Sequence, residues 1–327
     1  MPRSALRVAR RLVNTGLAAC AAISLWACSQ HAVGPSTTAV PALAGSATPA
    51  VRPAGAVRLR LRLMTFNILW EGYQQDGEYV ASGFSQRKPM ILEVLRRHGA
   101  DVVGLQEASQ GQRIQLATDL PGFGMFPLPQ APGDECILYR ADRFAVMESG
   151  HEILRRLPER EGTNVGVRDF VWVNLRERSS GRQFYVLNLH ADDRSSERGR
   201  ELDGVLLGQW IQSRRVADPV VLLGDFNGRY DQPRLQFLTG RRDYPDAQGG
   251  IATMPMPMID TLTAVNPAAE AAGSPDSGYG DISSRGQIDY ILVPRGTRVI
   301  ESRILYDHMN GIYPSDHFPL SAEVELE

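Results

Sequence analysis

The stretch VVLLGDFN, Val220 to Asn227, joins an apolar run of strand length to a carboxylate, Asp225, and an amide, Asn227, two residues apart. On an extended chain such residues face the same way, so both polar groups leave the end of a buried strand together. An Asp-x-Asn after glycine is, taken alone, more often an Asx-turn that closes a strand. The rest of the chain changes that balance, because polar groups at the ends of apolar runs recur at Asn67, Glu107, His190, Asp192, Asp289, Asp316 and His317. Carboxylates and amides without a Cys/His cluster are hard oxygen donors that suit Mg²⁺ or Mn²⁺ rather than structural zinc. A phosphoryl centre needs its charge neutralised, a water made nucleophilic and a leaving oxygen stabilised, and these groups can supply all three.

The elements that must position them are legible in part. Val57 to Leu63 alternates apolar residues with Arg58, Arg60 and Arg62, which predicts a strand with one dry face, delivering Asn67 at its end. Ser85 offers an N-cap for a helix with Ile91, Val94 and Leu95 on its apolar face, stopping at Gly99. Asp101 to Glu107 reads as a second buried strand. This strand–helix–strand opening is α/β grammar. Further strands are predicted at Cys136–Tyr139, Phe170–Leu175 and Gln183–Leu189, the last two joined by a Ser179-Ser180-Gly181 hairpin turn. A helix from about Ser195, with Leu202, Val205, Leu206 and Trp210 on one face, leads to VVLLGDFN. Thr239 to Ser284 reads as long loop, and strands return at Gln287–Val293, Arg298–Leu305 and Phe318–Leu326. His31, His98, His151 and His308 lie outside the pattern of polar strand ends.

The N-terminus has a different character. Arg3, Arg7, Arg10 and Arg11 precede an apolar run from Leu12 to Ala27, too short and too interrupted for a comfortable membrane span, which reads as a secretory signal over residues 1–27. Leu25-Trp26-Ala27-Cys28 resembles a bacterial lipobox, with Cys28 as the acylated residue and a lipid anchor facing the periplasm or cell exterior. Ordinary signal cleavage nearby, giving a secreted protein, is the alternative. Residues 28–56, rich in Ala, Pro, Ser and Thr, read as a flexible tether, leaving 57–327 as the folded domain. With residues 1–27 removed and Cys28 acylated, Cys136 is the only free thiol and no internal disulfide is possible. The same cleavage moves the formal charge from −2 to −6, which argues against non-specific grip on nucleic acid as the main purpose but not against a local basic patch.

From Leu59 to Glu327 the chain resembles the endonuclease/exonuclease/phosphatase superfamily, which includes pancreatic-type deoxyribonucleases, abasic-site endonucleases, sphingomyelinases and inositol-phosphate phosphatases. The resemblance rests on MTFNI (64–68), LQE (105–107), NLHAD (188–192), GDFN (224–227), IDYIL (288–292) and SDHFPL (315–320), six short motifs in order. It implies an α/β (α+β) fold, a four-layer sandwich of two mixed β-sheets flanked by helices, acting as a monomer on a phosphate ester. It implies Glu107 as the main metal ligand, with Asn67 and Asp316 close by. Asp225 would orient and deprotonate the attacking water, and Asn227 would hold that water or a phosphate oxygen. His317, partnered by Asp289, and His190 would bind the scissile phosphate and do acid–base work. Glu135 fits best as the partner of His190, and Asp134 is the alternative.

Two departures concern the rim of the site: Gln287 stands where many relatives have Arg, and Asp193 where many have a second His. Arg168 reads equally as a phosphate contact and as surface charge, while Trp70, Tyr73 and Tyr279 read either as stacking platforms or as packing. The expectation is an exported divalent-metal phosphodiesterase. A phosphomonoesterase acting on a sugar or inositol phosphate, and a catalytically silent binding protein on the same scaffold, are the alternatives.

Overall fold

The alternating Leu/Arg opening forms β1, Leu59–Asn67, in which Leu59, Leu61 and Leu63 are buried, Arg60 and Arg62 are exposed, and everything from Met64 to Asn67 is enclosed. The computed structural model describes residues 58–72, 83–156, 167–214, 218–267 and 287–327, all within the unit Arg52–Glu327. The expected signal sequence, the tether, Tyr73 and Tyr279 lie outside the described residues.

In chain order, α1 (Phe84–His98), β2 (Val102–Gln106), α2 (Gln110–Asp119), β3 (Phe123–Phe126), β4 (Cys136–Arg140), β5 (Phe144–Arg156), β6 (Val167–Glu177) and β7 (Gln183–His190) follow β1. Then come α3 (Glu197–Arg214), β8 (Val220–Asp225), α4 (Pro233–Leu238), β9 (Tyr244–Pro245), β10 (Ile251–Ala252), β11 (Met258–Asp260), α5 (Thr261–Val265), β12 (Asp289–Pro294), β13 (Arg298–Ile304) and β14 (Leu320–Leu326). Two six-stranded sheets result, ordered β13-β14-β1-β2-β4-β3 and β11-β12-β8-β7-β6-β5. Each contains one parallel pair, β1 with β2 and β7 with β8, so both sheets are mixed.

Three apolar clusters define the layers. Leu61, Leu63, Val102 and Ile137 of the first sheet meet Val173, Val186, Val221 and Ile291 of the second, forming the inter-sheet core. On the outer face of the first sheet, Phe66, Val103 and Leu105 pack with Ile91, Val94 and Leu95 of α1 and Leu116 of α2. On the outer face of the second, Leu187, Leu189 and Leu222 pack with Val205, Trp210 and Ile211 of α3 and Phe237 of α4. The four-layer sandwich is therefore observed as expected. One polar bridge crosses the inner core: Asn188 donates to the Leu105 and Cys136 carbonyls at 2.8 and 3.0 Å and accepts from Gln106 Nε2 at 2.6 Å.

Several local expectations need correction. The N-cap of α1 is Gly83 rather than Ser85, which is already helical, whereas Gly99 does end the helix in the left-handed region at φ 56°. The buried face of α3 is Val205, Leu207, Trp210 and Ile211, while Leu206 is exposed. The shift arises because Gly204 and Gly208 let α4 approach closely, a contact between helices that the spacing of apolar residues in one helix does not reveal. The stretch expected as loop after Thr239 contains β9, β10, β11 and α5, the last capped by the Asp260 carboxylate on the Leu262 and Thr263 N–H groups. These elements are two to five residues long, too short to carry a period.

Candidate active site

The parallel pairs bring the motif residues together. In β1 and β2, Asn67 is level with Gln106, which places Glu107 just past the end of β2. In β7 and β8, His190 is level with Asp225, and β12 runs antiparallel so that its first residue, Asp289, is also level with Asp225. Four strand exits and one strand entrance thus lie at one edge of the sandwich. Gly224 permits this alignment: at φ 153°, a Cβ there would collide with the Leu189 carbonyl of β7.

Asp225 is almost fully enclosed, and one of its oxygens, Oδ2, has three polar neighbours. Asn67 Nδ2, from the other sheet, donates to it at 3.3 Å; His190 Nε2 lies 3.5 Å away and His317 Nε2 3.8 Å away. Its other oxygen accepts the Asn227 N–H at 2.9 Å, so the Asx-turn and the site are the same structure. Asn227, at φ 43°, also donates its amide to the Ala191 carbonyl at 2.8 Å. His317 Nδ1 lies 2.8 Å from Asp289 Oδ2, as expected for that pair.

Glu107, at φ 54°, has both carboxylate oxygens engaged, Oε1 by Asn67 Nδ2 at 3.0 Å and Oε2 by the Trp70 N–H at 3.0 Å. Burial acts against this carboxylate, but His190, Asn67, the Trp70 N–H and His317 outweigh it and hold its pKa below the ordinary value. Asp316 goes the other way: burial raises its pKa, the charge of Glu107 raises it further, and His317 opposes both. Burial opposes a charged His317, yet Asp289, Asp225 and Asp316 lift its pKa well above the ordinary imidazole value, which favours the charged ring.

Two candidates sit differently from expectation. The side chain of Asn67 does not offer its oxygen outward, because Oδ1 accepts the Leu69 N–H at 3.1 Å while Nδ2 bridges Glu107 and Asp225. An amide wedged between two carboxylates has to donate to both. Glu135 is buried just before β4, but it interacts with Asp134, Asp169 and Arg168, and His190 Nδ1 has no hydrogen-bond partner among the described residues. Burial beside two other acids pushes the Glu135 pKa well up, which favours its neutral form. Arg168, half-buried, faces Glu135. Trp70 is half exposed beside Glu107, and Gln287 is buried, donating to the Asp289 carbonyl at 3.0 Å.

Sequence reading missed Arg87 and Ser315. Ser315 Oγ donates to the Asn67 carbonyl at 2.6 Å and accepts the His317 N–H at 3.2 Å, tying the two ends of the domain together at the site. It lies inside a recognised motif, which is a signal of a kind. Arg87 is one of 34 arginines on a helix with no local mark of burial.

Two side-chain groupings have the chemistry to hold a cation. Asp225, Asp289 and His317 can bring ligand atoms within 4.8 Å of one another. Glu107 with Asp316, the pair that the family resemblance implies, is the second grouping. There two half-buried carboxylates repel each other, and a hard divalent ion would offset that repulsion.

Carboxylates, amides and two histidines gathered at one edge of a two-sheet sandwich form a donor set with the chemistry to act on a phosphoester bond. Residues 64–317 match the endonuclease/exonuclease/phosphatase family, and the chain belongs to it. Members of this family are hydrolases acting on phosphoester bonds. An endonuclease/exonuclease/phosphatase from Bacteroides vulgatus superposes with a TM-score of 0.65 at 23% identity, covering 82% of this chain and 100% of that one. A mannosyl-6-phosphatase from Bacteroides thetaiotaomicron gives a TM-score of 0.62 at 21% identity, covering 81% and 99%. TDP2 from D. rerio, complexed with single-strand DNA product, gives 0.60 at 16% identity, covering 81% and 98%. No curated protein matches the sequence.

Proposed function

We propose that this chain is an exported, divalent-metal-dependent phosphoesterase that hydrolyses a phosphodiester by attack of water. The observation that carries this reading is the setting of Asp225, a buried carboxylate with two imidazole nitrogens within 3.8 Å and an asparagine amide bonded to the same oxygen. Asp225 takes the proton of a water held beside Asn227 as the water oxygen bonds to phosphorus. The ester P–O bond then breaks, and the leaving oxygen takes a proton from the cationic His317, whose charge Asp289 sustains. His190, its Nε2 3.5 Å from Asp225 Oδ2, binds the scissile phosphate. Mg²⁺ or Mn²⁺ held by Glu107 and Asp316 would supply charge neutralisation for the phosphoryl oxygens.

Hydrolysis of a bis-aryl phosphate, with and without chelator and with Asp225→Asn as control, tests this. Metal-dependent turnover lost in Asp225→Asn supports it; no turnover by the folded wild type favours a silent binding protein. A second reading, a phosphomonoesterase acting on a sugar phosphate, is favoured by the likeness to the mannosyl-6-phosphatase. Preference for a hexose 6-phosphate over the diester would select it.

Export through residues 1–27 with acylation at Cys28 is supported by the basic start, the apolar run and the Leu-x-Ala-Cys pattern. Among the described residues, no helix is long and apolar enough to cross a membrane. Metabolic labelling with palmitate, lost in Cys28→Ser, would establish the anchor; unlabelled soluble protein would leave ordinary cleavage. The domain is expected to work as a monomer.

A further inference from the structure

We propose that Arg87 is a positioning residue of the active site: its buried guanidinium holds the turn that aims Glu107 and the segment that carries His317 in a single register. The side chain is fully enclosed, on α1, outside every sequence motif of the site. Its Nη1 donates to the Ile68 carbonyl and, at 3.3 Å, to the Pro314 carbonyl; its Nη2 donates to the Leu69 carbonyl at 2.9 Å and the Trp70 carbonyl at 3.4 Å. Three consecutive carbonyls on one side and a single carbonyl from 227 residues away on the other meet on one planar cation.

The consequence for the site follows from peptide geometry. Leu69 lies in the left-handed region at φ 58°, a conformation that a leucine keeps only when its surroundings impose it. Arg87 and Gln112, whose Nε2 donates to the Leu69 carbonyl at 2.9 Å, take the carbonyl side of this turn. The N–H side is thereby turned toward the site, with Leu69 N–H on Asn67 Oδ1 and Trp70 N–H on Glu107 Oε2. One covalent step from Pro314, Ser315 binds the Asn67 carbonyl and the His317 N–H. Burial lowers the pKa of this guanidinium, and the charges of Asp316 and Glu107 act against that, so the cation and the two carboxylates support one another. A lysine cannot reproduce this, because an ammonium has three donors and no planar fork.

The inference rests on the reading of Glu107 as a cation ligand, and calorimetric titration of the purified domain with Mn²⁺ separates the two. Wild type that binds no Mn²⁺ defeats that reading and the inference with it. If wild type binds, Arg87→Lys should bind about 10- to 100-fold more weakly, the range seen when groups that orient metal ligands are removed. The same variant should lose kcat with a smaller change in KM. A merely structural arginine would lower the melting temperature while leaving the Mn²⁺ Kd of the folded fraction unchanged, as Leu95→Val in the same helix should do. Wild-type Kd in folded Arg87→Lys overturns the proposal. If that variant does not fold, Gln112→Met removes the other bond to the Leu69 carbonyl, and an unchanged Kd there overturns the proposal equally. In Arg87→Ala, added guanidinium ion should restore part of the lost affinity.

Discussion

His317 and Asp289 meet through a 2.8 Å Nδ1–Oδ2 contact in which both side chains are buried, and the carboxylate is the foremost of the groups that keep the imidazole charged. This pair connects β12 to the segment just before β14 and favours the charged form of the imidazole.

Removing that carboxylate should therefore move a pH profile. The pKa of His317 is raised in the fold, so the charged form persists above the ordinary imidazole range and is lost as pH rises through the folded value. Asp289→Asn lowers that value, so the alkaline limb of kcat/KM should shift to lower pH, with a loss of about 10²-fold at neutral pH for a group of this kind. An alkaline limb left in place would mean that another group is titrating.

Asp225→Asn keeps the shape of the side chain but removes its basicity. The expected outcome is a drop in kcat of about 10²- to 10⁴-fold with a similar melting temperature. Single-turnover kinetics on the bis-aryl phosphate would check it, and retention of more than a tenth of the activity would remove Asp225 as the base.

A stability effect is expected at Asp260, which Gln287 links to the Asp289 carbonyl. Asp260 is fully buried as the cap of α5, and burial pushes its pKa up to about 6, more than the two backbone N–H groups and Gln287 can offset. The folded state thus favours the neutral acid. Its contribution to stability is fully present below the unfolded pKa of about 4 and is lost as pH rises through about 6. Asn caps helices as well as Asp does, so Asp260→Asn should match wild type near pH 4 and exceed it near pH 8, by at most about 3 kcal/mol. Urea unfolding at the two pH values measures this, and parallel pH dependence in the two proteins would refute it.

Asn188 should be costly to lose. Asn188→Ala would leave the Leu105 and Cys136 carbonyls and Gln106 Nε2 without their partner in the inter-sheet core. Unsatisfied buried groups cost about 1–3 kcal/mol each, so a loss of about 3 kcal/mol is expected in chemical denaturation. A loss below about 1 kcal/mol would show that water or a rearranged Gln106 satisfies these groups.

Much of the site was legible in the sequence because its residues stand at the ends of strands, and strands betray themselves by apolar runs. VVLLGDFN, NLHAD and MTFNI each carry their polar group just where the run stops, so Asp225, His190 and Asn67 stand out in the sequence alone. The layer order was legible only through the resemblance to a known family; the apolar runs were compatible with it and did not establish it. The missed elements lacked such a period. β5 bends at two irregularities in its pairing with β6, and β9, β10, β11 and α5 are too short to repeat.

What the sequence determined by itself was the kind of chemistry, since residue type sets which groups can bind a hard cation, take a proton or carry a charge. Only the tertiary structure decided how those groups are used. It turned Asn67 into a donor between Glu107 and Asp225, moved Glu135 away from His190 toward Asp134 and Asp169, and enlisted Arg87 from an unmarked helix. The physical reason is that hydrogen-bond direction and burial depend on neighbours remote in the chain. Asn67 is 158 residues from Asp225, and Arg87 is 227 from Pro314, distances across which no local pattern carries information.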